Sequence, residues 1–437
     1  MPDSVQPLTK AALPPDSLPS TVAHGTDDPA QPCAAEPQQV LPRTMPRTRD
    51  ARIGVIMLVP DRWRGIWMSR HQVGVRLAGY FEVVWLEASR PWREYVGRTR
   101  RAEPILQDVP TDIPGFTVLD PGWKSPAVYR PAWLRDALRR ASLRVAARHL
   151  RRQGCEKVVL YLWRPEFAWA LDAVPADATC YHIGDEYQFS FVDLPNDPEE
   201  VALMRRVDHV FIHSPGLLLK KGDINPHTSR APNGVDYAAY ATPRPEPDDL
   251  AHIPQPRIGY IGVVKVQLDL QLLRDLATRH SEWSFVLVGP TGFVGDKAHI
   301  LASLARLPNV YLLGNRPVAD LPAYGQHMSV CVMPYEWNDY TNHIYPLKLH
   351  EYLATGRPVV ATPIMTLSAF GDVIGLASDR AGWETALHAA LSPVASTPSL
   401  MAARQARAAE HDWDTIVAKI ADTIGECVAA APTSGTR

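Results

Sequence analysis

The chain has 437 residues, 46% of them hydrophobic, and a formal net charge of −2, values typical of two or three globular domains. The near-neutral charge argues against a nucleic-acid partner, because proteins that bind nucleic acids concentrate positive charge. No apolar run approaches the roughly 18 residues of a membrane span, and the N-terminus lacks the apolar core of a signal peptide.

The cysteines are few and scattered. Cys33, Cys155, Cys180, Cys331 and Cys427 show neither CxxC spacing nor another metal-ligand pattern. An odd number of dispersed thiols is typical of a reduced protein of the cytoplasm. We therefore expect a cytoplasmic location.

The chain changes character near residue 51. Residues 1–50 are rich in Pro, Ala and Asp, which predicts a disordered tail. Arg52–Val59 and Val83–Leu86 then read as strands around a helix at Met68–Gly79. This βαβ order predicts a doubly wound domain, although no G-x-G-x-x-G dinucleotide signature follows the first strand.

Residues 90–152 are rich in arginine, with tryptophans at Trp92, Trp123 and Trp133. Pro131–Arg152 is predicted to be a helix with arginines around an apolar side made of Leu134, Leu138, Ala141, Val145 and Leu150. A basic amphipathic helix with Trp at its edge is typical of proteins that lie on an anionic membrane surface. The alternative is a helix that covers the sheet and exposes a solvated basic face.

Two further predicted strands lead towards candidate chemistry. Lys157–Trp163 and Thr179–Ile183 are apolar runs, and Asp185 follows the second one. Ligands of open α/β sheets bind at the carboxyl ends of strands, so Asp185 is a candidate site residue. The alternative is a helix cap or loop anchor. Asp61 and His71, near the exit of the first strand, are lesser candidates.

Turn and linker signals divide the chain. Asn-Gly at 233–234 predicts a turn, and residues 243–256 contain five prolines, which is typical of a linker. We therefore predict a first domain at 51–242, a second at 257–400, and a C-terminal helix at 401–428.

The second domain opens with a predicted strand that ends at Gly262, and Lys265 lies in the loop that follows. Glycine lets a backbone approach a phosphate closely, so this loop is a candidate phosphate site. For Lys265 the alternative is a solvated loop lysine. Gly289 and Arg316 lie in the loops after the next two predicted strands, and the β-α alternation predicts a parallel sheet.

Residues 329–363 read as strand, loop, helix and strand. The helix is predicted to open at Pro346 and to end at Gly356. A helix N-terminus attracts phosphate. Lys348 in the first turn adds a positive charge, and Glu351 is placed to accept hydrogen bonds from sugar hydroxyls. The alternative is an amphipathic helix with a solvated Lys and Glu.

This stretch contains the sequence PLKLHEYLATGRPVV. It resembles the donor-nucleotide motif of GT-B glycosyltransferases, near the retaining family 4 group and the teichuronic-acid and exopolysaccharide transferases. Pro232–Asp236 also matches the P-N-G-V-D segment that ends the N-terminal domain in such proteins.

The resemblance implies an α/β GT-B fold: two Rossmann-like doubly wound domains face a central cleft, and a C-terminal helix crosses back. The first domain would bind the acceptor and the second the nucleotide sugar. Lys348 would meet the diphosphate and Glu351 the ribose, while the loops with Gly289 and Arg316 would flank base and ribose. A second family glutamate, eight positions before Glu351, is His343 here, which is expected at the donor site.

The implied reaction moves a sugar from a nucleotide-diphosphate sugar, expected to be UDP-linked, to a saccharide or lipid-linked saccharide acceptor in surface polysaccharide synthesis. Asp185 would take the acceptor proton if the reaction inverts, or orient the acceptor if it retains. Lys265 and Lys348 would neutralise the diphosphate. Such enzymes need no obligatory metal, and Asp412-Trp413-Asp414, which spells the D-x-D motif of GT-A enzymes, is predicted to lie inside a helix.

Two alternatives stay open. One is a nucleotide-sugar epimerase of the same architecture. The other is a non-catalytic assembly partner that binds sugar nucleotides, which is suggested by His343 in place of the glutamate. A protein that works on lipid-linked acceptors is expected in the cytoplasm, peripheral to the inner face of the membrane.

Overall fold

The computed structural model describes residues 49–89, 112–121, 126–188, 190 and 194–431. The predicted disordered tail falls almost entirely outside the described residues. The same holds for the part of the basic segment that contains Arg90, Trp92 and Trp123.

Seven parallel strands form the first sheet. They are β1 (Ile53–Leu58), β2 (Glu82–Leu86), β3 (Phe116–Leu119), β4 (Lys157–Leu162), β5 (Ala178–Ile183), β6 (His209–Ile212) and β7 (Thr228–Arg230). Their order across the sheet is β3-β2-β1-β4-β5-β6-β7. The order reverses between β1 and β4, which opens a crevice at the carboxyl ends of the strands.

Six parallel strands form the second sheet. They are β8 (Arg257–Ile261), β9 (Ser284–Val288), β10 (Val310–Gly314), β11 (Val330–Met333), β12 (Val359–Ala361) and β13 (Gly375–Leu376). Their order is β10-β9-β8-β11-β12-β13, so the reversal falls between β8 and β11. The central strands β8, β9 and β11 are buried along their whole length, as expected for a parallel sheet covered on both faces.

The helices of the described residues cover both sheets. They are α1 (Ser69–Leu77), α2 (Ala132–Arg152), α3 (Pro198–Arg206), α4 (Pro215–Lys221), α5 (Tyr237–Ala241), α6 (Asp248–Ala251), α7 (Leu270–Arg279), α8 (Ala298–Leu304), α9 (Leu321–Gln326), α10 (Asp339–His343), α11 (Lys348–Ala354), α12 (Met365–Ser368), α13 (Arg380–Leu391), α14 (Pro398–Ala409) and α15 (Trp413–Ala430). Short 3-10 turns lie at Pro165–Asp172, Gly222–Ile224, Gly295–Lys297, Val318–Asp320 and Pro393–Ser396.

The C-terminal helix crosses back to the first sheet, but it differs from the single predicted helix. The chain breaks between α14 and α15, where the Asp412 carboxylate accepts the Asp414 N–H at 2.8 Å and caps α15. Trp413 and Ile416 of α15 then join the core of the first sheet. Trp413 therefore starts the crossing helix instead of lying near its middle.

The predicted Asn-Gly turn meets this break. Val235 pairs with Asp412 as an isolated bridge, and the Val235 N–H donates to the His411 carbonyl at 3.0 Å. A Cβ on Gly234 would stand 2.7 Å from that carbonyl oxygen, closer than packing allows. Gly234 therefore lets the two segments touch.

The buried side of α2 matches the predicted one only at Leu150. Leu143, Ala146 and Leu150 are buried, whereas Val145 of the predicted apolar side is exposed. Leu150 packs so close to Gly54 of β1 that a Cβ there would stand 2.7 Å from its Cδ1. The close approach of helix and strand sets the rotation of α2, and the sequence of the helix alone does not reveal it.

Among the described residues, no helix combines the length and the hydropathy that crossing a bilayer requires.

Candidate active site

Three neighbouring strands of the second sheet end in closely packed glycines. Gly262, Gly289 and Gly314 follow or end β8, β9 and β10 with positive φ angles of 143°, 141° and 70°. The Gly262 N–H donates to Val288 at 2.8 Å, and the Gly289 N–H donates to Gly314 at 2.8 Å. A Cβ on Gly289 would lie 2.2 Å from the Gly262 carbonyl oxygen. Only glycine fits there, so these loops expose bare backbone at one sheet edge.

Lys348 lies against this glycine edge. It is the first residue of α11, so the helix starts two residues later than the predicted start at Pro346. A Cβ on Gly262 would stand 3.0 Å from Lys348 Cε and 3.1 Å from its Nζ. The ammonium is 3.4 Å from the Tyr335 hydroxyl and 5.1 Å from the centre of the Tyr260 ring.

The Lys348 ammonium keeps its charge. Burial alone would lower its pKa, but the Tyr260 and Tyr335 hydroxyls and the Glu351 carboxylate outweigh burial and hold the pKa above its ordinary value. An ammonium that is charged and partly desolvated is suited to an anionic ligand. The structure thus brings Gly262, Lys348 and Glu351 together.

Glu351 lies one turn further along α11 and pairs with the Tyr240 hydroxyl. Burial raises the pKa of Glu351, while Lys348 and the Tyr240 hydroxyl act in the opposite direction. Tyr240 belongs to α5, just after the P-N-G-V-D segment. A carboxylate with one hydroxyl partner retains acceptor capacity for further hydroxyls, such as those of a ribose.

Asp185 follows β5 at the carboxyl edge of the first sheet, and it faces the second half of the chain. Its two carboxylate oxygens accept from the Tyr340 hydroxyl at 3.2 and 3.1 Å, and one also accepts the Glu186 N–H at 2.9 Å. Burial raises the pKa of Asp185, while the positive charge of Lys265 acts against the rise.

Lys265, in the loop after β8, is exposed at this edge. Neighbouring protein atoms still remove part of its hydration, and Lys348 repels it, so its pKa is lowered. Asp185 acts in the opposite direction. The structure therefore sets Asp185 of the first sheet close to Lys265 of the second, and Lys265 in turn lies near Lys348.

His343 ends α10 and contacts the first half of the chain. A Cβ on Gly216, in the first turn of α4, would stand 3.0 Å from His343 Cδ2 and 2.9 Å from the Asn342 carbonyl oxygen. The helix α10 itself forms inside a segment that was predicted to be loop. A donor role for His343 stays a prediction.

Arg316 is committed to an ion pair. Its Nη2 is 2.5 Å from Asp249 Oδ2, and its Nε donates to the Tyr324 hydroxyl at 2.9 Å. Asp249 lies on α6, within the predicted linker. The guanidinium thereby links that segment to the loop after β10. The predicted contact of this loop with base or ribose stays a prediction.

The lesser candidates lie in structural contacts. Asp61 pairs with Arg70. His71 is buried beside Trp63 and Trp85, and burial lowers its pKa to about 4. A neutral, enclosed imidazole packs as part of the aromatic core of the first domain.

Among the described residues, no group of three or more His, Cys, Asp or Glu side chains is arranged to hold a metal ion. In the D-x-D sequence, Asp412 caps α15, and Asp414 accepts from Arg76 Nε at 2.7 Å. The D-x-D sequence therefore lies at the start of a helix, and not inside a helix as predicted. That the reaction needs no metal stays a prediction.

Sequence reasoning missed four tyrosines that surround the predicted residues. Tyr260 and Tyr335 flank Lys348, Tyr240 pairs with Glu351, and Tyr340 pairs with Asp185. Tyr335 and Tyr340 lie in the aromatic segment between β11 and α11. Aromatic residues in a polar loop before the helix that is predicted to meet phosphate were the available signal.

Comparison with known proteins shows what the second half of the chain resembles. Residues 255–391 match the family model described as glycosyl transferases group 1. A putative teichuronic acid biosynthesis glycosyltransferase, TuaH of Bacillus subtilis (strain 168), is 32% identical over 179 residues. The match covers 39% of this chain and 44% of that relative, so the chain spans less than half the length of this curated relative.

Solved structures match over most of the chain. A structure described as trehalose-6-phosphate from E. coli bound with UDP-2-fluoro glucose covers 87% of this chain and 100% of its own, with a TM-score of 0.60 and 12% identity. The alpha,alpha-trehalose 6-phosphate synthase of Burkholderia multivorans covers 87% and 100%, with a TM-score of 0.59 and 14% identity. AviGT4, a glycosyltransferase of avilamycin A biosynthesis, covers 87% and 98%, with a TM-score of 0.53 and 14% identity.

At such low identity these structures establish the fold alone. They confirm the predicted GT-B architecture of two facing doubly wound domains. Residues 255–391, which match the glycosyl transferases group 1 model, carry Gly262, Lys348 and Glu351 and lie in the second domain of that fold.

Proposed function

We propose that the protein is a glycosyltransferase that takes a sugar from a nucleotide-diphosphate sugar, preferably a UDP-sugar. The acceptor is a saccharide or lipid-linked saccharide of surface polysaccharide synthesis. Two likenesses support this reading: the glycosyl transferases group 1 domain and the relative that is described as a putative teichuronic acid biosynthesis glycosyltransferase.

The observation that carries the proposal is the packing of Lys348 on the glycine edge of the second sheet. A Cβ added to Gly262 would lie 3.1 Å from Lys348 Nζ, so the ammonium lies directly beside backbone that no side chain covers. A diphosphate there meets a full positive charge and an unobstructed main chain. Glu351, one turn further on, accepts from the ribose hydroxyls.

The first domain supplies the acceptor side through Asp185. An ionised carboxylate at this position accepts the hydrogen of the acceptor hydroxyl, either as a base in an inverting reaction or as an orienting group in a retaining one. Lys265 and Lys348 hold the leaving diphosphate, whose negative charge grows as the glycosidic bond breaks.

A direct assay tests the proposal. The full chain is incubated with a panel of UDP-sugars, with and without a saccharide acceptor, and UDP and sugar products are measured. UDP release that depends on the acceptor supports a transferase. Isomerised UDP-sugar without transfer indicates an epimerase. Binding without either product indicates a non-catalytic partner. Thermal unfolding identifies the ligand, because a hundredfold excess over Kd stabilises by about 2.7 kcal/mol.

We further propose that α2 rests on an anionic membrane surface at the inner face of the membrane, where a lipid-linked acceptor would be presented. Its exposed side carries arginines at four-residue spacing, namely Arg140, Arg144, Arg148 and Arg152. Within the part of the chain that the structure describes, these four form no ion pair. Trp133 at the start of α2 is 71% exposed, and the preceding Tyr129 is 73% exposed.

An unpaired basic stripe with exposed aromatic rings at one end fits a bilayer interface, where phosphates meet the arginines and rings enter the headgroup layer. The solvated basic face remains the competing reading. Binding to anionic vesicles that weakens with salt distinguishes the two.

A further inference from the structure

The bond between Asp185 and Tyr340 joins the two domains inside the cleft. Asp185 follows β5 of the first sheet, and Tyr340 belongs to α10, which lies between two elements of the second sheet half. The Tyr340 hydroxyl is 3.1 and 3.2 Å from the two carboxylate oxygens. Tyr340 is 6% exposed, so its ring is held by packing. The Glu186 N–H donates to one of these oxygens at 2.9 Å, and the two donors together restrict the rotation of the carboxylate.

Tyr340 has one phenolic proton, and both carboxylate oxygens of Asp185 lie within hydrogen-bond distance of its hydroxyl. Burial and the Asp185 carboxylate raise the pKa of Tyr340, and the nearby Gln267 side chain acts in the opposite direction. The phenol therefore keeps its proton and donates it to Asp185.

Other groups facing Asp185 come from several elements. Lys265 after β8 and Arg164 after β4 bring positive charge near it, and Tyr187 lies on its own loop. The adjacent Glu186 does not compete for these partners, because Lys221 Nζ donates to it at 3.0 Å and Lys220 Nζ lies 3.2 Å away.

We propose that Tyr340 is a positioning residue that holds the ionised Asp185 carboxylate in its acceptor-facing orientation. This inference rests on the proposed transferase function. It adds that Asp185 is correctly oriented only while α10 of the donor half lies against the acceptor half. The Tyr340–Asp185 hydrogen bond therefore couples the approach of the two domains to the orientation of the acceptor-site carboxylate.

The first test does not need activity. The free energy of unfolding of Tyr340→Phe is measured against pH in the full chain. The lost bond favours the ionised carboxylate, so the destabilisation is expected at neutral pH and should shrink as acid protonates Asp185. In an Asp185→Asn background this pH dependence should vanish.

The matched control is Tyr324→Phe. Tyr324 also donates to an aspartate, Asp249, at 2.8 Å. Burial would raise the pKa of Asp249, but Arg316 and Tyr324 bind it and hold the pKa below its ordinary value. The control's destabilisation should therefore persist to a lower pH. A Tyr340→Phe penalty that is independent of pH, or unchanged by Asp185→Asn, overturns the inference.

The second test uses turnover with saturating substrates. In Tyr340→Phe the acid limb of kcat should move up by about one pH unit, the worth of one hydrogen bond to a charged group. Turnover at neutral pH should fall about tenfold, a part of the usual effect of a general base. UDP affinity should stay unchanged.

The outcomes separate the two proposals. If the wild type releases no UDP with any acceptor, the proposed function fails, whereas the unfolding data still decide whether Tyr340 holds an ionised Asp185. If the wild type is active and Tyr340→Phe keeps its acid limb, the positioning role alone fails.

Discussion

Replacing Lys348 by alanine tests the donor site most directly. In the structure the Lys348 ammonium packs against Gly262 and lies 3.4 Å from the Tyr335 hydroxyl. As the sugar leaves, negative charge grows on the terminal diphosphate oxygen, and a fixed ammonium stabilises that state more than the bound substrate. Lys348→Ala should therefore lower kcat by about 10²- to 10³-fold, the loss typical of one preorganised donor.

The assay is kcat for UDP release with saturating donor and acceptor. Lys419→Ala is the matched control, because Lys419 is exposed on α15. Lys348→Arg should restore only part of the rate, since the planar guanidinium is wider than an ammonium and the space beside Gly262 is narrow. A Lys348→Ala variant that folds and retains the kcat of the wild type would show that Lys348 contributes to packing and not to catalysis.

Two further outcomes are expected. Glu351→Gln should weaken UDP binding about ten- to a hundredfold in calorimetry, the cost of one hydrogen bond to a charged group. The control Glu426→Gln, at an exposed position of α15, should leave UDP affinity unchanged. Equal affinities of the two variants would remove Glu351 from the ribose site. Arg140→Gln combined with Arg144→Gln should weaken binding to phosphatidylserine vesicles about thirtyfold, at about 1 kcal/mol per arginine. The exposed pair Arg306→Gln and Arg380→Gln is its control, and an equal loss in both double variants would argue against α2 as the membrane face.

The sequence revealed the strands and the donor motif because both are local signals. β1 and β8 are unbroken apolar runs. Lys348 and Glu351 share one turn of a helix, so a single segment of sequence contains the pair. Glycines at strand ends predicted the edge where Gly262 and Gly289 now lie at positive φ. Each of these features depends on residues that are close in the chain.

The partners of these residues depend on the packing of distant segments. Tyr340 and Asp185 are 155 residues apart in sequence, and Tyr240 reaches Glu351 from the end of the first domain. The buried side of α2 was predicted only in part for the same reason. Leucine and alanine occur all round that helix, and Gly54 on a distant strand selects the side that packs. Periodicity indicates that a face exists, but the contacting strand decides which one is buried.

The carboxylates of the protein separate into two electrostatic groups. Ion pairs overcome the effect of burial at Glu186 and Asp249, and their pKa values are lowered. At Asp185 and Glu351 burial prevails, and their pKa values are raised although cationic side chains are near.

The raised pKa values of Asp185 and Glu351 lower the stability of the fold at neutral pH. A carboxyl group whose pKa is raised by folding contributes stability below its unfolded pKa and loses it as the pH rises through the folded value. At neutral pH, Asp185 and Glu351 therefore disfavour folding. Glu351→Gln should raise the free energy of unfolding at pH 7, and the gain should disappear below pH 4.5, the ordinary pKa of Glu351. Thermal unfolding against pH measures this, and a loss of stability at pH 7 would contradict it. Carboxylates that weaken the fold but can accept from a ligand hydroxyl are expected in a binding site. Asp185 and Glu351 both lie where the two sheets meet.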